Sequence, residues 1–431
     1  QAERYDVPAT RAAWYVGESQ WASYMSFATI ELELTQNEDI PGIAATYVQG
    51  ETKHDPIFDK FEIEEAPGGG TYALYTPQNA SEDNERPLIV WFHGTGERYN
   101  GDNPGGNLVG NRALAFADDE FQDALDGCYV LAPQSTTAGW NAGRLDDMEE
   151  LINKIVAENH VDADRIIVGG LSMGTGMTTP LILSGTENQI DFAAAILCSG
   201  GNINTEQAKI LARKGISMYL VGNTSDFAAF GLSSAYANLQ AAGVDAKLML
   251  YPEGPVFDGD YYYGAHDSWN YIYNNLVEDE DGETIFEWIA KQRRKDVEEV
   301  EVEATVHALR TAINPGYYFS GALIDMGVML NSNDIDKDTF SAKARVTEYN
   351  GDVQDGFGNF GWDPEKEDYA LGEGWAKWNI VDAYVADANG NRADWGQYIK
   401  VDIEWGTRTV AVGPQAERYD VPATRAAWYV G

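Results

Sequence analysis

The feature that most constrains the fold of this chain is the segment "GGLSMGTG" at residues 169–176. Gly170, Ser172 and Gly174 form the pattern G-x-S-x-G, with the strand-like "RIIV" before it and the helix-like "MTTPLIL" after it. In such a strand–turn–helix the serine takes a strained backbone conformation, and the glycines let strand and helix approach closely. The segment therefore predicts a sharp turn that exposes Ser172, a candidate nucleophile, at the end of a buried strand.

Compact apolar runs alternate with helical stretches over residues 60–294. The runs are "RPLIVWFHG", "GCYVLAP", "DRIIVGG", "FAAAILCSG", "ISMYLVGN" and "AKLMLYPEG". Helical stretches such as "LDDMEELINKIVAENH" and "LSSAYANLQAAG" lie between several of them. This alternation indicates a mostly parallel sheet with helices on both faces.

The pattern changes after residue 296. "EEVEVEATVHAL" and "YIKVDIEW" alternate apolar and polar residues with the period of two that marks half-exposed strands. The segment "ANGN" at residues 388–391 predicts a hairpin turn between two such strands. We therefore expect residues 296–414 to form a separate β-sandwich.

A serine nucleophile needs a base, and the base needs an acid to orient it. For a serine on a strand–turn–helix, the acid and then the histidine follow along the chain. Only His266 and His307 follow Ser172. His307 lies in the β-rich region, whereas His266 follows the last core run, "LMLYPEG", through a loop. We predict that His266 is the base.

The predicted acid is Asp226, in "LVGNTSDFAAF", because it follows the carboxyl end of the preceding strand and comes before a helix. Asp258 and Asp260 are alternatives in the later loop. Asp267 is a less favourable alternative, because a side chain next to the base does not easily turn back to orient its neighbour's ring.

The tetrahedral intermediate of acyl transfer needs two backbone N–H donors for its oxyanion. One donor is predicted at Met173, directly after the nucleophile. The other is predicted in "WFHGTGER", at Thr95. His93 in the same loop is expected to be structural, because it lies on the oxyanion side.

At this point several segments together resemble a known family. They are "LIVWFHGTGERYNGDN", "VLAPQ" followed by Trp140, "VDADRIIVGGLSMG", and "HDSWNYIY" ahead of "IFEWIAKQRR". They resemble α/β-hydrolase esterases often labelled predicted peptidases, relatives of polyhydroxybutyrate depolymerases and of feruloyl or acetylxylan esterases. The resemblance covers residues 61–294. It implies an α/β-hydrolase fold and a serine esterase, with a serine peptidase as the alternative.

The resemblance extends to a second domain, and the sequence differs from the family pattern in two places. Some members carry an immunoglobulin-like domain, and residues 321–405 resemble it, although here the β-rich segment follows the hydrolase segment. Thr175 stands where a glycine is usual after the turn, which would reshape the pocket. The usual Val-Pro is missing behind Asp226, which makes the acid the least secure member of the triad.

Aromatic side chains surround the predicted base. Tyr261, Tyr262, Tyr263 and Trp269 lie in "FDGDYYYGAHDSW", and aromatic faces stack on sugars or phenolic acyl groups. The segment therefore suits an ester of a plant-cell-wall or other polymer. The alternative is that these rings only pack a long loop.

The formal net charge is −40, from 69 acidic and 29 basic residues. Such a surface excludes nucleic acid and anionic membranes as partners, because no basic field attracts them. It suits an extracellular or cell-surface protein.

No cofactor and no metal site are expected, since phosphate-binding glycine loops and zinc or calcium spacings are missing from the sequence. Cys128 and Cys198 lie in apolar strands and are expected to be buried thiols.

Residues 415–431 repeat residues 1–17 letter for letter. We divide the chain into a strand-like segment (1–35), an α/β-hydrolase domain (36–295), an immunoglobulin-like β-sandwich (296–414) and the repeat (415–431). The repeat favours self-association, as a tandem array or a head-to-tail filament through residues 1–35 and 296–431. A structural filament built on a hydrolase fold is therefore the alternative function, and a deliberate sequence overlap is the other explanation.

The acidic surface predicts that thermal stability depends on ionic strength. Salt shortens the Debye length from about 30 Å at 0.01 M to about 3 Å at 1 M and screens the repulsion among the carboxylates. The thermal midpoint in NaCl should rise by several degrees, mostly below about 0.2 M, where screening changes fastest. A midpoint that stays flat from millimolar to molar NaCl would contradict this prediction.

Overall fold

The protein divides into two compact units, which are described separately. One comprises Gln1–Ser184 and Asn188–Val297, and the other comprises Gly185–Glu187 and Glu298–Gly431. The computed structural model describes residues 40–43, 56–254, 256–257, 261–262, 264–296, 299–313, 316–346, 362–363, 368–369, 374–403, 407–409 and 420–422.

The first unit is built on an eight-stranded sheet with the order β1-β2-β4-β3-β5-β6-β7-β8. Its strands are β1 (Phe61–Glu65), β2 (Thr71–Tyr75), β3 (Arg86–Phe92), β4 (Tyr129–Gln134), β5 (Val161–Leu171), β6 (Ala194–Cys198), β7 (Ser217–Asn223) and β8 (Ala246–Tyr251). β2 pairs antiparallel with β1 and β4, and the strands from β4 to β8 are parallel. A short pair, β9 (Val256–Phe257) and β10 (Tyr261–Tyr262), follows β8.

Helices cover both faces of this sheet. They are α1 (Gly106–Gly110), α2 (Asp119–Ala124), α3 (Leu145–Glu158), α4 (Thr175–Leu183), α5 (Thr205–Lys214), α6 (Leu232–Ala241), α7 (Trp269–Tyr273) and α8 (Ile285–Lys291). α3 to α6 pack in the core on one face, and α1, α2, α7 and α8 pack in the core on the other. The predicted mostly parallel sheet with helices on both faces is confirmed.

The central strand β3 explains why both faces are apolar. Its side chains alternate between the two cores: Leu88, Val90 and Phe92 face one, and Ile89 and Trp91 face the other. All five are essentially inaccessible to solvent. Burying an aliphatic or phenyl side chain of this size stabilises the fold by about 1.5–3 kcal/mol, so a strand apolar on both sides belongs at the centre of the sheet.

The parallel direction of the central strands brings the candidate site together. β3, β5, β7 and β8 run in the same direction, so their carboxyl ends lie along one edge. Thr95 follows β3, Ser172 follows β5 directly, Asp226 follows β7 and His266 follows β8. Ligand sites in open parallel sheets lie at this edge.

The second unit contains one four-stranded antiparallel sheet, in the order β11-β12-β18-β17. Its strands are β11 (Thr305–Ile313), β12 (Gly316–Asn331), β17 (Ile380–Ala386) and β18 (Trp395–Ile403). β17 and β18 form the hairpin predicted around residues 388–391, which is confirmed. Leu330, Ala383, Val385, Ile399 and Val401 form its small core.

An immunoglobulin-like β-sandwich is not confirmed. Apart from the four-stranded sheet, the described part of this unit adds separate two-stranded pairs. They are β13 (Ala342–Val346) with β16 (Gly374–Trp378), β14 (Trp362–Asp363) with β15 (Asp368–Tyr369), and β19 (Thr407–Thr409) with β20 (Asp420–Pro422). No second sheet of comparable size faces the first among the described strands.

Several sequence predictions lie outside the described residues. They concern Asp258, Asp260 and Tyr263, the segment 1–35, and the repeat 415–431 apart from Asp420–Pro422 in β20. Tyr261 and Tyr262 are described only as backbone, in β10. Self-association through 1–35 and 296–431 therefore stays a prediction. Among the described helices, none is long and apolar enough to cross a membrane.

The reactivity of the two cysteines tests whether they are buried in the core of the first unit. Cys128 precedes β4 and Cys198 ends β6, and both are free and buried. Burial raises the pKa of the Cys128 thiol to about 12 and raises the pKa of the Cys198 thiol as well. Because only the thiolate reacts, the native protein at about pH 8 should not react with a disulfide reagent such as DTNB, and the unfolded chain should react at both thiols. Rapid labelling of the native protein would contradict this packing.

Candidate active site

The nucleophile turn has the geometry that its sequence pattern predicts. Ser172 follows β5 and has a φ of +51°, in the left-handed region that residues with a side chain seldom adopt. Two glycines make the turn possible. A Cβ on Gly170 would lie 2.7 Å from the carbonyl carbon of Gly174, and a Cβ on Gly174 would lie 2.1 Å from the carbonyl oxygen of Phe92. The backbone of Gly174 therefore packs directly against the backbone of Gly170 and of Phe92.

Thr175 stabilises this turn. Its hydroxyl donates a hydrogen bond of 2.7 Å to the carbonyl oxygen of Ser172, and its side chain is buried. From the sequence, Thr175 was expected only to reshape the pocket where a glycine is usual. The spacing is the signal for this bond, since a hydroxyl three residues along a helical turn reaches back to that carbonyl.

His266 lies between Ser172 and Asp226. Its Nε2 is 2.9 Å from Ser172 Oγ, and its Nδ1 is 2.9 Å from Asp226 Oδ2. A carboxylate only accepts hydrogen bonds, so Nδ1 of His266 carries the proton and donates a hydrogen bond to Asp226. Nε2 of the neutral ring is then left to accept the hydroxyl proton of Ser172. The structure thus brings together the three residues predicted from their order in the chain.

The predicted acid, Asp226, is buried and is held by the turn that carries it. The Asp226 side chain is inaccessible to solvent, whereas the His266 side chain is 37% exposed. Asp226 Oδ2 faces His266, and its Oδ1 accepts the backbone N–H of Ala228 at 3.0 Å. Among the rejected alternatives, Asp267 accepts the backbone N–H of Gly264 at 2.9 Å. Asp267 therefore stabilises the turn that carries His266.

Two aromatic rings contact the imidazole of His266. Trp269 meets it edge-on, with centroids 5.4 Å apart and an interplanar angle of 86°. Phe227 lies parallel to it, at 6.1 Å and 12°. Trp269 is only 4% exposed and belongs to the core. Its burial favours a role in positioning His266 over stacking on a substrate.

The predicted oxyanion donors lie in two helical turns beside Ser172. Thr95 begins the 3-10 helix Thr95–Glu97, and Met173 lies in the 3-10 helix Ser172–Gly174, which continues into α4. The first N–H groups of a helix have no partner within it. A Cβ on Gly94 would lie 3.6 Å from Ser172 Cβ, so the loop of Thr95 flanks the nucleophile.

His93 anchors this loop. Its Nδ1 donates to the carbonyl oxygen of Gly94 at 2.6 Å, and its Nε2 accepts the backbone N–H of Ser135 at 2.9 Å. Arg98 Nε donates to the carbonyl oxygen of Thr95 at 2.9 Å. Both ring nitrogens of His93 are engaged with backbone, which agrees with a structural role and leaves neither for catalysis.

Glu97 is a buried carboxyl group that was not predicted from the sequence. It is 3% exposed, and its Oε2 lies 3.6 Å from His93 Nδ1. Within the described residues neither carboxyl oxygen has a hydrogen-bond partner. Burial, and after it the charge of Glu97, raise the pKa of Tyr273 well above its usual range. Acidic residues are common in this chain, so its composition did not mark Glu97 as buried.

The described residues contain no group of three or more histidine, cysteine, aspartate or glutamate side chains placed to hold a metal ion. Ser172, His266, Asp226 and the nearby backbone amides lie together at this edge of the sheet and supply a hydroxyl, an imidazole, a carboxylate and N–H donors.

No protein-family model and no curated protein sequence matches the chain. Among solved structures it is similar to a thermostable esterase, at 25% identity over 55% of this chain and 64% of that one, with a TM-score of 0.45. It is also similar to the feruloyl esterase module from Clostridium thermocellum, at 14% identity over 53% and 93%, with a TM-score of 0.39. An acylaminoacyl peptidase matches at 14% identity over 56% and 43%, with a TM-score of 0.36. The chain thus spans less than two thirds of the first and third of these proteins.

Proposed function

We propose that the protein is a serine hydrolase that cleaves carboxylic esters through Ser172, His266 and Asp226. The proposal is carried by one observation, the continuous chain of two 2.9 Å hydrogen bonds from the serine hydroxyl through the imidazole to the carboxylate. The strained, glycine-flanked conformation of Ser172 supports it, because backbone strain of this kind concentrates at functional sites.

In the first half of the reaction, Ser172 Oγ attacks the ester carbonyl carbon while His266 Nε2 takes its proton. The carbonyl oxygen becomes an oxyanion, and the backbone N–H groups of Met173 and Thr95 stabilise it. The intermediate then breaks its bond to the alcohol oxygen. His266 donates its proton to that oxygen, so a neutral alcohol leaves and the acyl group stays on Ser172.

In the second half, water takes the place of the alcohol. His266 removes a proton from the water, whose oxygen attacks the acyl carbon, and the proton returns to Ser172 Oγ as the acid is released. Asp226 stabilises the imidazolium in both halves. Its carboxylate is buried and 2.9 Å from Nδ1, so water screens the attraction little.

Replacing the nucleophile gives the first test. The Ser172→Ala variant should lose about 10⁴-fold or more in kcat/KM on p-nitrophenyl acetate, because it lacks the hydroxyl that forms the acyl intermediate. Ser233→Ala, at an exposed position on α6, is the matched control and should keep wild-type activity.

Equal, non-zero rates in wild type and Ser172→Ala would overturn the triad assignment. Hydrolysis of acyl-peptides with no hydrolysis of esters would identify a peptidase, which uses the same triad. A secreted or cell-surface location and a polymer-linked ester substrate stay predictions from the sequence.

The assignment of Asp226 as the acid can be tested by comparing it with Asp267, the aspartate next to His266. Asp226→Asn should lower kcat by about 10³–10⁴-fold near neutral pH, because an amide that donates to Nδ1 leaves the proton on Nε2, which then cannot accept the serine proton. Asp267→Asn should lower kcat by less than about tenfold, because this carboxylate accepts the backbone N–H of Gly264 and stabilises a turn. The reverse ranking would assign the acid to Asp267.

A further inference from the structure

Phe227 and Phe230 are the two most exposed large apolar side chains in the described part of the chain, at 78% and 70%. The other large apolar residues that are exposed there are all aliphatic. Exposed phenyl rings that lie together mark a binding surface more often than a structural feature. Both rings lie within four positions of Asp226.

The backbone holds the two rings on one side of the turn. Phe227 begins the 3-10 helix Phe227–Ala229, and Phe230 follows it with helical φ and ψ of −58° and −25°. Side chains three positions apart leave a 3-10 helix on the same side, so Phe227 and Phe230 extend from one side of the turn. Ala229 between them is buried against the end of β7, where a Cβ on Gly222 would lie 2.9 Å from Ala229 Cβ.

The same turn is attached to the catalytic groups. Asp226 Oδ1 accepts the backbone N–H of Ala228, and the ring of Phe227 lies parallel to the imidazole of His266. The ring of Phe227 therefore lies beside His266 without packing into the core, and Phe230 follows on the same turn.

The turn also borders the nucleophile. A Cβ on Gly231 would lie 2.8 Å from the carbonyl oxygen of Gly201, and a Cβ on Gly200 would lie 3.0 Å from the carbonyl oxygen of Ser172. The end of the phenylalanine turn thus packs on the segment that flanks Ser172.

We propose that Phe227 and Phe230 form the subsite for the alcohol part of the ester, and that this part is an alkyl or aryl group. The inference rests on the proposed ester hydrolysis. His266 must donate its proton to the leaving oxygen, so the alcohol leaves on the imidazole side of Ser172. The acyl oxygen faces the predicted amide donors at Met173 and Thr95. The ring of Phe227 lies beside the imidazole and Phe230 follows on the same turn, where an apolar alcohol covers both rings and removes them from water.

The experiment compares two ester series by pH-stat titration. One keeps the acetyl group and varies the alcohol from ethyl to hexyl and benzyl, and the other keeps ethanol and lengthens the acyl group. In Phe227→Ala or Phe230→Ala, the ratio of kcat/KM for benzyl acetate to that for ethyl acetate should fall about tenfold, and in the double variant about 50- to 100-fold. The loss should appear mainly in KM.

Two variants control for structure. Phe227→Leu keeps an apolar side chain. Its ratio of kcat/KM for hexyl acetate to that for ethyl acetate should therefore stay close to the wild-type ratio. Leu276→Ala removes another exposed apolar side chain, outside the site, and should leave the ratio as in wild type. Because both phenyl rings are exposed, the thermal midpoints of the alanine variants should stay within a few degrees of wild type.

Three results would overturn the subsite. An equal loss on ethyl and benzyl acetate would mean that the rings only position His266. A loss that follows acyl length would place the acyl group on the rings, and an unaltered ratio would remove them from substrate binding. Wild type without Ser172-dependent ester hydrolysis is a separate result, which rejects the proposed function itself. Competitive inhibition by benzyl alcohol, weaker in the double variant, gives a second readout of the subsite.

Discussion

The close packing of the nucleophile turn against the end of β3 is the constraint on which the site depends. The backbone of Gly174 lies so close to the carbonyl of Phe92 that no side chain fits between them. The chain beyond Phe92 leads directly to the loop of Thr95. One contact therefore fixes both the nucleophile and the amide expected to stabilise the charge it creates. The left-handed conformation of Ser172 costs about 1–2 kcal/mol, and the buried strands β3, β5 and β6 offset that cost.

Asp226 joins the two sides of the site. One carboxylate oxygen holds the imidazole of His266, and the other holds the backbone of the turn that presents Phe227 and Phe230. Asp226 therefore selects the tautomer of His266 and also holds the turn that carries the nearest exposed apolar side chains. In the proposed reaction, this one buried side chain couples the chemistry to the substrate preference, and its movement would disturb both.

The parts of the structure that were predictable from sequence depend on local patterns. The turn at Ser172, the sheet and the contacting trio with His266 and Asp226 follow from residue types at the ends of apolar runs, because parallel strands align those ends. The hydrogen bond of Thr175 and the burial of Trp269 were not predicted, since both depend on which face of a short helix meets the core. In the second unit, alternation predicts strands, but the pairing of β12 with the distant β18 depends on contacts that a local pattern does not contain.

The unequal exposure of His266 and Asp226 has a kinetic consequence. In the proposed ester hydrolysis the same Nε2 protonates the leaving alcohol and later takes a proton from water. The His266 side chain is 37% exposed and the Asp226 side chain is closed to solvent, so alcohol and water can both reach the imidazole and neither reaches the carboxylate. A second alcohol would then compete with water for the same acyl group. The proposed mechanism therefore implies acyl transfer between alcohols as a side reaction.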